Sequence, residues 1–145
     1  MPCILLATDG SQASNRAADV AARLAKSIGL VLWIVNVTDH FGPPPAELEQ
    51  FSAVEHLSRS EMIEALSTQL LAEAKEQAEK AGVREVRIES RKGDVTRTLI
   101  ELAEEIGAEA IVVGRRGCGT LAGLLVGSVT QKLVSLASRT VIVVP

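Results

Sequence analysis

A glycine-rich segment with two arginines follows an apolar run late in the chain, and its residue types suit it to binding an anion. It begins at Gly114-Arg115-Arg116-Gly117 and ends at Gly127-Ser128, where a helix is predicted to start. Glycines allow backbone N–H groups to approach a ligand closely. The free N–H groups and the dipole of a helix N-terminus favour negative charge, to which the arginines add. A strand, a glycine loop with arginines and a helix start together predict a phosphate-binding site.

Two common nucleotide-binding motifs fit this segment poorly. A P-loop requires Gly-Lys-Ser or Gly-Lys-Thr after four spacer residues, and neither tripeptide occurs in the sequence. Gly117-x-Gly119-x-x-Ala122 matches the spacing of the dinucleotide fingerprint, but it follows the fourth predicted strand rather than the first. No acidic residue lies downstream to hold a ribose. Residues 110–145 contain none at all, which favours an anion locally although the net charge is −3.

A carboxylate follows the first predicted strand, in the run Ala7-Thr8-Asp9-Gly10-Ser11. At the carboxyl end of a buried strand, Asp9 is placed to accept hydrogen bonds from ribose hydroxyls or from an exocyclic amine. The same residue could instead serve only as a turn or cap residue before the first helix. Ligands of open α/β sheets bind where the strand order reverses. Asp9 and Gly114 would therefore share one crevice if strands one and four were neighbours.

Other side chains with chemical potential carry weaker signals. His40 and His56 lack the neighbouring ligands that a metal site requires, and we predict no such site. Cys118 lies between glycines in a cationic loop, conditions that lower the pKa of a thiol, but a redox role is only the minor interpretation of this residue. The sequence contains no Gly-x-Ser-x-Gly elbow, and it shows no paired carboxylates or Ser/His/Asp pattern that could be placed together. We therefore predict no catalytic residue.

The composition of the 145-residue chain bounds its class. Apolar residues make up 47% and charged residues 23%, as in globular proteins, so we expect a single domain over residues 1–145. Aromatic residues make up 2%, too few to stack the bases of a single-stranded nucleic acid. No run reaches ~18 apolar residues, and no basic segment marks a signal peptide. With two cysteines, we expect a reduced, cytoplasmic protein that binds neither nucleic acid nor membrane.

Apolar runs alternate with helical periodicity, which predicts the elements that position these residues. Three runs predict strands buried on both faces, as in a parallel sheet under helices: Cys3–Ala7, Val31–Val35 and Ala110–Val113. Predicted helices extend from a Ser11 cap to Gly29, along an apolar face from Ile63 to Ala81, from an Asp94 cap to Gly107, and from Ser128 with Val129, Leu133 and Leu136 inward. Strands and helices thus alternate along one domain, which predicts an α/β fold.

Two further strands and one long connection complete this organisation. Glu85–Glu89 alternates polar and apolar residues, which predicts a strand at a sheet edge with one face in water. Val141–Val144 is a wholly apolar strand at the C-terminal end of the sequence. The segment Thr38–Ser60 contains three consecutive prolines and is predicted to be a long irregular connection of the kind that forms lids or mobile loops.

Taken together, these residues resemble the universal stress protein family. The spacing Gly114-x2-Gly117-x9-Gly127-Ser128 matches the signature of its ATP-binding branch, and Thr8-Asp9-Gly10-Ser11 is similar to its first-strand turn. The similarity extends over the whole chain. It implies a three-layer α/β/α fold with a five-stranded parallel sheet in the order 3-2-1-4-5, and a nucleotide in the crevice.

The resemblance also implies which residues hold that nucleotide. The adenosine contacts of the family fall here on Ala7, Thr8, Asp9 and the backbone of Val37. Its phosphate contacts fall on Gly114, Arg116, Gly117, Gly127, Ser128, Val129 and Thr130. The implied ligand is ATP, with Mg²⁺ or Mn²⁺ bound through its phosphates. Arg115 departs from the family, which often has a small hydroxyl residue there, so this side chain would either tighten phosphate binding or point to solvent.

The function that the resemblance implies is that of an ATP-binding regulatory or signalling protein of the stress response. Two alternatives stay open: a slow ATPase or phosphotransferase that uses the same pocket, and a dimeric scaffold with an incidental nucleotide. Against catalysis, no general base is predicted on the phosphate side. An apolar edge strand such as Val141–Val144 invites pairing with a second copy, which also fits the family, so we expect a homodimer.

Overall fold

A computed structural model of the protein describes residues 2–38, 59–115 and 127–145. Within these ranges, strands and helices alternate in the predicted order. The elements are β1 (Cys3–Ala7), α1 (Gln12–Ile28), β2 (Val31–Thr38), α2 (Arg59–Lys80), β3 (Val86–Lys92), α3 (Val95–Ile106), β4 (Ala108–Gly114), α4 (Ser128–Leu136) and β5 (Thr140–Val144). Most of the long connection predicted over Thr38–Ser60 lies outside the described residues, as do His40, His56 and Cys118.

All five strands pair in parallel and form one sheet in the order β3-β2-β1-β4-β5, which confirms the predicted topology. α1 and α2 cover one face of the sheet, and α3 and α4 cover the other. Because successive side chains of a strand point to opposite faces, Ile4 and Leu6 pack under α1 while Cys3 and Leu5 pack under α3. The wholly apolar sequence of β1 follows from this burial on both faces.

The helix ends lie where local chemistry predicts them. Ser11 caps α1 by accepting a hydrogen bond from the Ser14 N–H, and the Asp94 side chain caps α3 by accepting from the Arg97 N–H at 2.9 Å. Gly29 and Gly107 end the same two helices in the left-handed conformation, with φ of 77° and 67°. A residue with a side chain is strained in that conformation, whereas glycine is not.

The inward faces of two helices differ from the prediction. In α2, Ala74 is buried as predicted, and Met62, Leu71 and Ala78 are buried as well. Ile63, Leu66 and Leu70 are only half-buried, because apolar residues surround more than one face of this helix, and Ala81 lies just after the helix and is exposed. In α4, Leu133 is buried as predicted, but Leu136 is 66% exposed. α4 is short and packs near the sheet edge beside β5, so its last turn has less to pack against.

Both edge strands occupy the predicted positions. β3 and β5 end the sheet, and Ile88 on β3 is 39% exposed. On β5, Val141, Ile142 and Val143 are half-buried. No helix in the described ranges is both long and apolar enough to cross a bilayer.

Candidate functional site

A cavity of about 300 Å³ opens at the carboxyl edge of the sheet, next to the central strand β1. β1 pairs with β2 on one side and with β4 on the other. Strands β2 and β3 therefore lie on one side of β1, and strands β4 and β5 lie on the other side, so the strand order reverses at β1. The helices that follow β1 and β4 are α1 and α4, and they lie on opposite faces of the sheet. A crevice forms between the ends of two such neighbouring strands, and ligands bind there in α/β folds.

The structure brings most of the predicted site residues together around this cavity. Of the twelve, ten lie in the described part of the chain and nine line the cavity: Ala7, Thr8, Asp9, Val37, Gly114, Gly127, Ser128, Val129 and Thr130. These residues come from the ends of three strands and the start of α4. They are far apart in sequence, and the parallel sheet gathers them because the carboxyl ends of its strands share one edge.

The remaining three predicted residues are placed differently. Arg116 and Gly117 lie outside the described residues. Arg115 is half-buried and does not line the cavity. Its backbone N–H donates to the carbonyl oxygen of Val144 at 2.6 Å, and its carbonyl oxygen accepts from the Gly127 N–H at 2.8 Å. The backbone of Arg115 thus joins the end of β4 to both β5 and the start of α4.

The turn after β1 is held by short-range hydrogen bonds around Asp9. The Ser11 N–H donates to Asp9 Oδ1 at 2.9 Å, and Gly10 has a φ of 82°, which favours glycine at this position. The hydroxyls of Thr8 and Ser14 lie 3.3 Å apart, and the Ser14 hydroxyl donates to the Ser11 carbonyl oxygen at 3.0 Å. Asp9 is therefore both a turn residue and a lining residue of the cavity.

The start of α4 lacks the side-chain cap that the starts of α1 and α3 have. Ser11 and Asp94 cap α1 and α3 with their side chains, whereas the residue at the N-cap of α4 is Gly127, which has no side chain to accept a hydrogen bond. The first N–H groups of a helix have no partner within the helix, and they favour a negatively charged ligand. The Thr130 hydroxyl donates to the Gly114 carbonyl oxygen at 2.9 Å, which ties this helix start to the end of β4.

Gly114 allows the end of β4 to approach α1. A Cβ atom on Gly114 would lie 2.8 Å from the backbone carbonyl carbon of Ala13 and 2.9 Å from the backbone nitrogen of Ser14. Neither atom belongs to a flexible side chain that could move aside. The predicted reason for this glycine was close approach to a phosphate, and the structure shows a second reason in the packing of the first turn of α1.

Apolar side chains that were not predicted as site residues form most of the remaining cavity wall. They are Val35 on β2, Val113 on β4, and Val95 and Leu99 on α3. Ser11 and Ser14 of the α1 start also line it. The topology could have predicted the residues from these helices. In a parallel sheet, the helix that follows each strand begins near the carboxyl edge, so the first turns of α1 and α3 approach the same crevice.

Burial and ion pairing shift the pKa values of several groups that do not line the cavity. Burial raises the pKa of the Cys3 thiol, which keeps it protonated and unreactive. A hydrogen bond from Arg91 lowers the pKa of the Glu105 carboxyl, and this pair joins β3 to α3. Within the described ranges, no three His, Cys, Asp or Glu side chains are grouped closely enough to hold a metal ion.

The arrangement suits a ligand with three chemically different parts. Asp9 supplies a carboxylate acceptor for hydroxyl or amine groups. The valines and Leu99 supply an apolar wall against which a flat ring can pack. The N-terminus of α4 supplies N–H donors that have no partner within the helix, together with a positive dipole end, for an anion.

Comparisons with known proteins point to one family. Residues 2–145 match the model of a family described as the universal stress protein family. Universal stress protein YxiE of Bacillus subtilis is 32% identical over 145 residues, and the alignment covers 97% of each chain.

Two solved structures share the fold. Universal stress protein UspA from Lactobacillus plantarum superposes with a TM-score of 0.78 at 23% identity, covering 99% of this chain and 97% of that chain. A universal stress protein in complex with cAMP superposes with a TM-score of 0.69 at 28% identity, covering 99% of this chain and 95% of that chain.

Proposed function

Since this chain belongs to the universal stress protein family, we propose that it binds an adenine nucleotide, with ATP as the ligand, and that it acts as a regulatory or signalling protein of the stress response. The bound nucleotide lies at the carboxyl ends of β1 and β4. Mg²⁺ or Mn²⁺ enters with the phosphates rather than through a protein-built metal site. We also assign the protein to the cytoplasm, because the chain has few cysteines and the described Cys3 is buried and free.

The observation that carries this proposal is the convergence of Asp9, the apolar wall and the glycine-capped start of α4 on one cavity. In the proposed complex, Asp9 accepts from the ribose hydroxyls and the adenine ring packs against Val35, Val37 and Leu99. The phosphates extend toward Gly127, Ser128 and the segment that follows Gly114. The solved relative in complex with cAMP, at 28% identity, supports an adenine nucleotide as the class of ligand.

The first experiment identifies the ligand directly. The purified protein is denatured, and the small molecules that it releases are identified by mass spectrometry. Calorimetry then compares ATP, ADP, cAMP, adenosine and GTP. We expect ATP to bind most tightly and GTP to bind weakly. If none of these nucleotides binds at millimolar concentration, the proposed function is wrong; if cAMP binds more tightly than ATP, the adenine class stands and the choice of ATP is wrong.

Binding without catalysis is the expected behaviour of this site. Among the described residues that line the cavity, Asp9 is the carboxylate, and it lies beside β1 rather than at the start of α4. A general base for phosphoryl transfer must lie within hydrogen-bond reach of the attacking nucleophile. Measurement of phosphate release with ATP and Mg²⁺ tests whether the protein hydrolyses ATP. Multiple turnovers would favour the alternative of a slow ATPase or phosphotransferase.

Replacement of Asp9 by alanine tests the nucleoside end of the site. We expect Asp9→Ala to weaken ATP and adenosine binding equally, by about 1–3 kcal/mol, because the ribose hydroxyls lose their acceptor. Asp94→Ala is the matched control, since Asp94 also accepts a backbone N–H near a helix start but does not line the cavity. That control should cost about 1 kcal/mol of folding free energy and leave affinity unchanged. Unchanged affinity in Asp9→Ala, measured by calorimetry, would mean that Asp9 is only a turn residue.

We further propose that the protein is a homodimer that pairs through β5. This strand ends the sheet, and its apolar residues Val141, Ile142 and Val143 are only half-buried in the single chain. A two-fold related copy of β5 running antiparallel would satisfy the edge hydrogen bonds and cover these side chains.

A lysine at the β5 edge should separate the two copies. We expect Ile142→Lys to shift the protein from dimer to monomer at micromolar concentration, because two like charges would face each other across the paired strands. Ile88→Lys on β3 is the matched control, since it places the same residue on the opposite edge strand, and it should leave the dimer intact. Analytical ultracentrifugation measures both. A monomeric parent protein would contradict the proposed interface.

A further inference from the structure

The backbone pairing between β1 and β2 stops at the point where the cavity begins. The last paired residues are Ala7 and Val35, and the Thr8 N–H donates to the Val35 carbonyl oxygen at 3.0 Å. The next hydrogen-bonding group along the chain, just after β1 ends, is the carbonyl oxygen of Thr8. It accepts a hydrogen bond from the side-chain amide of Asn36, with Nδ2 at 2.8 Å. A side chain of β2 therefore holds the end of β1 at the position where the strands separate.

The separation of the strands is what opens the cavity on this side. β2 continues beyond Val35 to Thr38 and stays paired with β3, where Asn36 lies opposite Ser90. β1 turns away after Ala7. Val35 and Val37 line the cavity, whereas Asn36, between them in a strand with alternating side chains, does not. Asn36 thus supports the turn after β1 from outside the cavity.

The hydrogen bond from Asn36 constrains Asp9 directly. The carbonyl oxygen of Thr8 and the N–H of Asp9 belong to the same planar peptide group, so fixing the carbonyl direction also fixes the plane from which Asp9 departs. Asn36 is 9% exposed and Thr8 is 6% exposed, so water has little access to replace the bond. A carbonyl oxygen can accept only from a donor, which assigns the NH₂ group of Asn36 to this contact.

We propose that Asn36 is a positioning residue for nucleoside binding, which holds the Thr8–Asp9 peptide so that the Asp9 carboxylate meets the ligand. This inference rests on the proposed function. It assigns Asn36 no contact with the nucleotide itself. Its effect therefore passes through Asp9 and concerns the nucleoside part of the ligand, not the phosphates.

The test is a double-mutant cycle on adenosine affinity, measured by calorimetry at a temperature where every variant is folded. Asn36→Leu keeps the side-chain size but removes the donor, and we expect it to weaken adenosine and ATP binding alike by about tenfold. In the Asp9→Ala background, the same change should weaken adenosine binding by less than about twofold, because the group that it positions is already absent. Thr38→Val is the matched control: Thr38 also donates from β2 to a backbone carbonyl, that of Arg91 on β3, and its loss should leave affinity unchanged.

A second variant keeps the test valid if Asn36→Leu does not fold. Asn36→Ser is too short to reach the Thr8 carbonyl but leaves room for water, so the fold is retained while the direct bond is lost, and the same pattern of affinities is expected. The inference is overturned if the parent protein binds adenosine and the Asn36 variants bind it equally well, or if their losses add fully to that of Asp9→Ala. If the parent protein binds no nucleotide, the proposed function itself fails.

Discussion

Adenosine should bind this protein at least about a hundredfold more weakly than ATP. In the proposed complex, ATP would bring several negative charges to the start of α4 and to the glycine-rich segment that contains Arg116. Hydrogen bonds to charged groups contribute about 1.5–3 kcal/mol each, so two such contacts already exceed a hundredfold in affinity. The difference between the two ligands should narrow at high salt, because salt screens exposed charges.

Substitution at Gly117 separates the phosphate part of this affinity from the nucleoside part. Gly117 lies outside the described residues, and its role is predicted from its place in the glycine-rich segment. Gly117→Val should reduce ATP affinity much more than adenosine affinity, because a side chain blocks close approach of the backbone to phosphate. Calorimetry measures the affinities of ATP and adenosine for the parent protein and for Gly117→Val. If adenosine and ATP bind alike, or if the substitution weakens both equally, the segment is not a phosphate-binding loop.

Gly114→Ala should lower the free energy of unfolding by about 3 kcal/mol, toward the upper end of the range for overpacked positions. The added Cβ would lie 2.8 Å from a backbone atom of Ala13, and α1 would have to move away from β4 to relieve this contact. Unlike most glycines that resist substitution, Gly114 is not among the positive-φ glycines of the described ranges. The expected loss therefore comes from packing alone.

Gly107→Ala provides the matched comparison for this prediction. Gly107 has a φ of 67°, but a Cβ there would meet no atom within 4 Å. This substitution should cost only about 1 kcal/mol, from backbone strain partly offset by a less flexible unfolded chain. Denaturant unfolding of both variants measures the difference. If both variants lose the same free energy of unfolding, contact with α1 does not explain why Gly114 must be a glycine.

Local signals in the sequence predicted the ends of the helices well. Ser11 and Asp94 cap α1 and α3 as expected, and Gly29 and Gly107 end them. Each of these features depends on residues within one helical turn, so neighbouring positions in the sequence carry the necessary information. The buried strands were equally clear, because burial on both faces leaves a continuous apolar run.

The sequence also predicted much of the candidate site, for a topological reason. Ligand-facing residues of a parallel sheet follow the strands directly, as Asp9 follows β1 and Gly114 ends β4. Once strands had been recognised and the family resemblance supplied their order, the residues after them could be grouped without knowledge of side-chain packing. Binding of a nucleotide by these residues stays a prediction that the experiments above test.

Tertiary structure alone decided how the elements support the site. The contact of Gly114 with the α1 backbone and the hydrogen bond from Asn36 to Thr8 each join positions distant in sequence. No periodicity marks such a pair, since each residue fits its own strand equally well without the other. The inward face of α2 was ambiguous for the same reason: its apolar residues surround the helix, and only packing against the sheet adds Leu71 and Ala78 to the predicted Ala74. Local sequence determines which elements form, whereas contacts between distant elements determine which residues they bring into register around the cavity.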